Sequence, residues 1–316
     1  MEKEKHILLG VDGSPGSREA VNYIGSVFAD NPDVYVDILH VLPPIPPLFS
    51  QPEGDMDELR RLQDGAAVFE KKCRNQAASI MEKAEHILAQ HGMKEGNFRF
   101  LVRPRITELA REFLSAEKGG LYDAVVIGRR GMSRIEELFM GSVTSNVLQL
   151  AKKVTVCVVD GKITSKKLLV SIDGSPNSRR IVDSAAWLFS NSRFTEITLF
   201  YVLTSLFSRD LERKDSEVED IEAPFRERMT GDAEVLLANA KKTMVGQGIS
   251  EDSVKTHLET KSRRVAKSIL KFANDRNCDS IMIGRRGVSR AKQMLLGSVS
   301  NKIIQQAQDK AVWVVS

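Results

Sequence analysis

DAVVIGRRGMSRIEELFMGS at residues 123–142 returns as DSIMIGRRGVSRAKQMLLGS at 279–298. Each copy is a short apolar run ending in Gly-Arg-Arg-Gly, then nine residues, then Gly-Ser ahead of a helical pattern. Upstream, ILLGVDGSPGSR at 7–18 is answered by LLVSIDGSPNSR at 168–179, and LHVL at 39–42 by FYVL at 200–203. The offset is 161 residues for the first and middle blocks and 156 for the last. Blocks in the same order at a near-constant offset mean a duplication, in which only connections differ in length.

Each half alternates short β-branched runs with helical patterns. In the first half strands are expected at 6–11, 34–41, 98–102, 123–127 and 154–159, with helices over 15–30, 57–91, 106–117 and 142–152. In the second, strands are expected near 168–172, 195–202, 253–259, 279–283 and 311–315. The runs lack a polar face, as strands buried on both sides do. Such alternation predicts an α/β fold: two tandem doubly wound domains, each a parallel sheet flanked by helices and joined by right-handed crossovers. The polar segment DGKITSK at 160–166 separates residues 1–160 from 166–316. Two long connections follow the second strand of each half, Pro-rich at 43–55 and charged at 208–225. Flaps over a site and solvated linkers both fit them.

The 316 residues suit two domains, and 42% apolar residues suffice for two cores. A net charge of +4 gives no reason to invoke nucleic acid or an anionic membrane. The charged start Met1-Glu2-Lys3-Glu4-Lys5 lacks the apolar region of a secretory signal, and no apolar run has transmembrane length. Cys73, Cys157 and Cys278 have neither metal nor redox spacing, and Cys157 reads as a reduced core thiol. The expected compartment is the cytoplasm.

In an open parallel sheet, ligands sit beyond the carboxyl ends of the strands where strand order reverses. Asp12-Gly13-Ser14-Pro15 and Asp173-Gly174-Ser175-Pro176 follow the first strands; Ser-Pro starts a helix well, and a plain turn is the competing reading. After the fourth strands, Gly128, Gly131 and Gly141 (Gly284, Gly287 and Gly297 in the second copy) let backbone N–H groups approach a ligand. The helix after each Gly-Ser pair favours an anion at its start, although a dipole alone contributes only about 0.3–1 kcal/mol. Hydroxyls from Ser142 and Thr144, or Ser298 and Ser300, and a divalent cation would have to add to it. The spacing is neither a P-loop nor the usual dinucleotide fingerprint. Arg129, Arg130, Arg285 and Arg286 read equally as forked phosphate donors or as solvated loop charges.

With these motifs in place the chain resembles the universal stress proteins in their tandem form, over nearly its whole length. The resemblance implies a five-stranded parallel sheet of order 3-2-1-4-5 in each half. Both halves match the G-2x-G-9x-G-S/T pattern of the ATP-binding members. It further implies Asp12 and Asp173 beside the ribose or a metal, Val41 and Val202 at the adenine, and Ile127 and Ile283 lining the same pocket. Ribose and phosphates would lie on Gly128, Gly131, Gly141, Ser142, Val143 and Thr144. The second-copy counterparts are Gly284, Gly287, Gly297, Ser298, Val299 and Ser300. ATP or another adenine nucleotide, with Mg²⁺ or Mn²⁺, is the implied ligand. One departure is Val102-Arg103-Pro104-Arg105 and Glu259-Thr260-Lys261-Ser262, where family members often carry a glycine followed by a proline.

His40 aligns with Tyr201, so a packed strand residue is the expected reading there. His86 and His91 read as surface residues of the long helical stretch, and His6 and His257 stand alone. The closing strands VTVCVV at 154–159 and AVWVV at 311–315 correspond to the edge that joins protomers in family dimers. In a tandem chain they are expected to pair internally as a pseudo-dimer, with a homodimer also open. The functional expectation is an ATP-binding stress-response regulator with little or no turnover and an unknown protein partner. The alternatives are a slow ATPase or nucleotidyl or phosphoryl transferase, and an interaction module with empty loops.

Overall fold

The structure is a computed structural model describing residues 4–50, 56–117, 122–131, 140–204, 216–260, 262, 264–286 and 296–316. The chain forms two compact units, Met1–Ala151 and Lys152–Ser316.

In the first unit β1 (Lys5–Gly10), α1 (Pro15–Phe28), β2 (Val34–Leu42), α2 (Met56–Gln90), β3 (Phe98–Pro104), α3 (Leu109–Glu117), β4 (Ala124–Gly128) and α4 (Ser142–Leu150) follow one another. Its parallel sheet has the order β3-β2-β1-β4. β1 and β4 are buried almost throughout, as strands covered on both faces must be. β3 is half exposed and carries Arg99, Arg103 and Pro104, which blunt a sheet edge. Arg99 grips the buried Asp37 carboxylate of β2 with Nε at 2.5 Å and Nη2 at 2.7 Å, and the Tyr122 hydroxyl donates to the same carboxylate. Burial opposes the Asp37 charge, but the hydrogen bonds from Arg99 and Tyr122 outweigh it and hold the pKa below its ordinary value.

The second unit begins with β5 (Thr155–Asp160), followed by β6 (Lys167–Ile172), α5 (Pro176–Phe189), β7 (Glu196–Val202), α6 (Ser216–Gly246), β8 (Val254–Glu259), α7 (Val265–Asp275), β9 (Ser280–Gly284), α8 (Ser298–Gln306) and β10 (Lys310–Val315). β8-β7-β6-β9-β10 run parallel, which is the expected order 3-2-1-4-5. On the outer edge of β10 lies β5, antiparallel, with Cys157 opposite Trp313. The closing strand of the first sequence half therefore lies in the second compact unit. Trp313 is fully buried, with Phe189 edge-on at 5.2 Å. Burial pushes the Cys157 thiol well above its ordinary pKa and Cys278 up to about 11, so both are inert core thiols.

The long helices repeat as well. Ala77, Met81, Ala84 and Leu88 form the buried stripe of α2, and Ala233, Leu237, Ala240 and Met244 that of α6. The spacing i, i+4, i+7, i+11 is one face of a helix. The two stripes hold the 156-residue offset, so the five-residue difference falls in the connection after the second strand. Part of the charged stretch expected as a connection at 208–225 is helical: residues 216–225 open α6 despite Pro224. Its first turns are rich in Asp and Glu, which favour a helix start, while the density of charge and Pro224 hid the helix in the sequence. In the first half, Pro47–Ser50 form a 3₁₀ turn, while 51–55 and 208–215 lie outside the described residues.

Candidate functional site

Strand order in the first unit's sheet reverses at β1, with β2 and β3 added on one side of it and β4 on the other. The carboxyl ends of these two strands carry the repeated motifs, and a cleft of about 190 Å³ opens there. Four features build it.

The first is the turn after β1. Gly13 has φ +81°, a conformation favouring glycine, and Asp12 Oδ1 accepts the Ser14 N–H at 2.9 Å. Ser14 caps α1 by accepting the Ser17 N–H at 3.1 Å, with Pro15 at the first helical position. The motif is thus a structural turn, as its plain reading holds, and it also leaves Asp12 Oδ2 facing the glycine loop. A Cβ built on Gly131 would lie 2.7 Å from that oxygen.

The second is the close approach of β4 to α1. A Cβ on Gly128 would meet the Gly16 carbonyl carbon at 2.5 Å, and one on Gly16 the Arg130 carbonyl oxygen at 2.5 Å. Neither site has room for any side chain. Glycine at both lets the loop backbone rest on the helix start.

The third is the return to α4. Gly141 N–H donates to the Arg129 carbonyl at 3.0 Å and closes the loop. The Thr144 hydroxyl, buried, donates to the Gly128 carbonyl at 3.0 Å. Its proton is committed to the loop, so Thr144 organises the cradle and does not offer a donor to a ligand. Ser142 and Val143 line the cleft at the start of α4, where backbone N–H groups have no helical acceptor.

The fourth is an apolar wall. Val11, Val41 and Ile127 come from strand ends, and Leu109 and Phe113 from α3. The two α3 residues escaped the sequence reading, since nothing local marks them. α3 is set in place by Glu112, whose Oε1 accepts the Ile106 N–H at 3.1 Å, the Thr107 N–H at 2.6 Å and the Thr107 hydroxyl at 2.8 Å. The Thr107 hydroxyl, then its N–H, hold the Glu112 pKa below the usual carboxylate range.

Of the arginines, Arg130 lines the cleft, whereas Arg129 is 4% exposed and does not. Arg285 is 7% exposed, and burial, then the neighbouring Arg286 charge, lower its pKa. Arg129 and Arg285 are therefore packed within the fold, while Arg286 is exposed. His40 is buried with Nδ1 2.8 Å from the Val11 carbonyl; a carbonyl only accepts, so Nδ1 carries the proton and the ring is a packed strand residue.

The second copy keeps the framework and changes its detail. Gly297 N–H donates to the Arg285 carbonyl at 2.9 Å, and the Ser300 hydroxyl to the Gly284 carbonyl at 2.7 Å. Asp173 Oδ1 accepts both the Ser175 N–H at 3.0 Å and the Ser178 hydroxyl at 2.9 Å. Asn177 stands where the first copy has Gly16, and its side chain donates to the Arg286 carbonyl at 3.2 Å. Tyr201 replaces His40; burial, then Asp173 and Asp232, raise its pKa. Ile283 and Val202 are buried, Ser298 and Val299 start α8, and Gly287 lies outside the described residues. Among the described residues, no cluster of three His, Cys, Asp or Glu side chains is placed to hold a metal, and no helix is long and apolar enough to cross a membrane.

Comparison with known proteins adds to this geometry. The profile of the universal stress protein family matches residues 4–159 and again 164–316. A universal stress protein of Mycolicibacterium smegmatis is 26% identical over 309 residues, covering 96% of this chain and 95% of that protein. The universal stress protein YxiE of Bacillus subtilis is 28% identical over 145 residues, covering 44% of this chain and 91% of its own. The crystal structure of a universal stress protein from Archaeoglobus fulgidus superposes with a TM-score of 0.56 at 18% identity, covering 99% of this chain and 97% of that one. That likeness speaks for the fold.

Proposed function

The chain belongs to the universal stress protein family, with two such domains in tandem, and from that premise we propose that it is an adenine-nucleotide-binding regulator of stress adaptation with little or no turnover, acting in the cytoplasm.

The observation that carries this reading is the two-sided character of the first unit's cleft. Apolar side chains of Val11, Val41, Ile127, Leu109 and Phe113 form one side, and the glycine loop with the start of α4 forms the other. A nucleotide has the same two ends, a flat apolar base and a polyanion. The crowding around Gly128 and Gly131 keeps backbone, with no side chain between, against the ligand space. Arg130 supplies a positive charge at the same wall. Mg²⁺ or Mn²⁺ would be held by the Asp12 carboxylate together with phosphate oxygens, and the ion's contribution is to neutralise the polyphosphate. Asp173 would be the corresponding ligand in the second copy. Nucleotide occupancy would then order the loop and bias a surface read by a protein partner. The antiparallel pairing of β5 with β10 supports an internal pairing of the two closing strands in place of the contact made in family dimers.

The test is calorimetric titration of nucleotide-stripped protein with ATP and Mg²⁺, repeated on Gly141→Val and Gly297→Val, with hydrolysis followed in parallel. Two binding events per chain, one abolished in each variant, are expected. Absence of binding to ATP, ADP and AMP alike would leave the interaction-module reading, and turnover abolished by Asp12→Ala with Asp173→Ala the enzymatic one.

A further inference from the structure

Gly10 and Phe113 are 103 positions apart in sequence and meet at the floor of the cleft. A Cβ built on Gly10 would lie 2.5 Å from Phe113 Cε1, 2.6 Å from Cζ and 3.1 Å from Ile127 Cγ2. No real Cβ sits that near a ring carbon, so this ring position requires glycine on β1. The duplication supplies the comparison. LAREFL at 109–114 aligns with VAKSIL at 265–270, and ILLGVDGS at 7–14 with LLVSIDGS at 168–175. The second copy therefore carries Ser171 for Gly10 and Ile269 for Phe113. Both members changed together: where the ring is replaced by a smaller side chain, the strand carries a Cβ. The ring is only 6% exposed, yet it forms part of the cleft wall with Val11 and Ile127.

We infer that Phe113, seated on Gly10, is the residue that fits the first copy's site to a planar aromatic base, and that the two copies consequently differ in their affinity for the base end of a nucleotide. The inference rests on the nucleotide reading of the cleft and assigns its apolar end. An aromatic wall contacts a base with more area than a branched aliphatic one, and stacking or edge contact adds to burial. At the polyanion end, Gly141 and Gly297 close their loops alike, and the Thr144 and Ser300 hydroxyls make equivalent bonds.

The experiment uses the full chain carrying Gly297→Val, so that titration reads the first site. ATP and inorganic tripolyphosphate are titrated into this protein, into its Phe113→Ile form, and into the Gly10→Ser/Phe113→Ile form that copies the second half's pair. ATP binding is expected to weaken about three- to tenfold in both forms, the effect of exchanging an aromatic wall for an aliphatic one, with tripolyphosphate unchanged. Thermal unfolding gives a readout independent of ligand: Gly10→Ser alone should lower the melting temperature, and Phe113→Ile should restore most of the difference. Unchanged ATP affinity in Phe113→Ile would overturn this inference and leave the nucleotide reading standing. Equal weakening of ATP and tripolyphosphate would make Phe113 a fold residue only, also against it. A parent protein that binds neither ligand would overturn both readings.

Discussion

At the scale of the residue, the two copies put the same glycine under different pressure. Gly128 faces backbone, the Gly16 carbonyl group at 2.5 and 2.7 Å and the Ser17 nitrogen at 2.9 Å. Gly284 faces the end of the Ile181 side chain at 2.9 Å and the Arg286 carbonyl oxygen at 3.2 Å. A side-chain end can rotate away, but the first turn of a helix cannot. Gly128→Ala should therefore cost about 1–3 kcal/mol, the range for overpacking a tight contact, and Gly284→Ala less. Urea denaturation of the two variants checks this, and equal destabilisation would contradict the packing argument. Asp123 and Asp279 form another homologous pair with divergent partners. Asp123 Oδ2 accepts the His6 N–H at 2.9 Å, whereas Asp279 Oδ2 accepts Thr164 N–H at 3.1 Å and Ser165 N–H at 2.9 Å. In both copies the carboxylate at the start of the fourth strand fastens chain at or just before the first.

At the scale of the element, the entry to α3 carries the site's apolar wall and is the place where the family's usual glycine is missing. Glu112 reaches back to the 106–107 turn and satisfies donors that would otherwise be orphaned at the helix start. The second copy holds its equivalent turn differently, with a Ser268 hydroxyl on the Ser262 hydroxyl. Glu112→Ala should cost about 1.5–3 kcal/mol, the value of hydrogen bonds to a charged group, and should weaken nucleotide binding by releasing Leu109 and Phe113. The carboxylate's folded pKa lies below its ordinary value of 4.5. A depressed acid contributes stability that is fully present above the unfolded pKa and is lost as pH falls through the folded one. The first unit should therefore lose stability below about pH 4.5 in part through Glu112, and Glu112→Ala should flatten that acid limb in pH-resolved unfolding. An unchanged acid limb would remove Glu112 from the explanation.

At the scale of the whole molecule, the boundary between the two compact units falls before β5. Strand β5, encoded in the first half, lies antiparallel on β10, from Val156 opposite Val314 to Asp160 opposite Lys310. Both strands are buried along their length. The Ser316 hydroxyl donates to the Val154 carbonyl at 3.1 Å and closes the far end. A fragment beginning at residue 166 would expose the apolar edge of β10, a template for pairing with another chain. Fragment 166–316 should therefore self-associate more strongly and melt lower than fragment 152–316. Size-exclusion chromatography and thermal unfolding of the two fragments decide this, and a monomeric, equally stable shorter fragment would refute it.

The features legible along the chain are local or repeated. The tandem organisation, the alternation of strand and helix, the Asp-Gly-Ser-Pro turn and the glycine loop all follow from repetition and short-range chemistry: positive φ at Gly13, a serine cap, a proline at the first helical position and strands without a polar face. Seeing each signal twice separated it from chance. The fold alone shows which of these residues face the cleft and which serve the loop. Thr144 and Ser300 spend their protons on the loop carbonyls, and Arg129 and Arg285 are packed while Arg130 lines the cleft. Leu109 and Phe113 entered the site only through the structure, and β5 was found to lie in the second unit. The physical reason is common to them all. A hydroxyl, a guanidinium or a ring has no fixed partner along the chain, and its role is set by the groups that distant segments bring within a few ångströms.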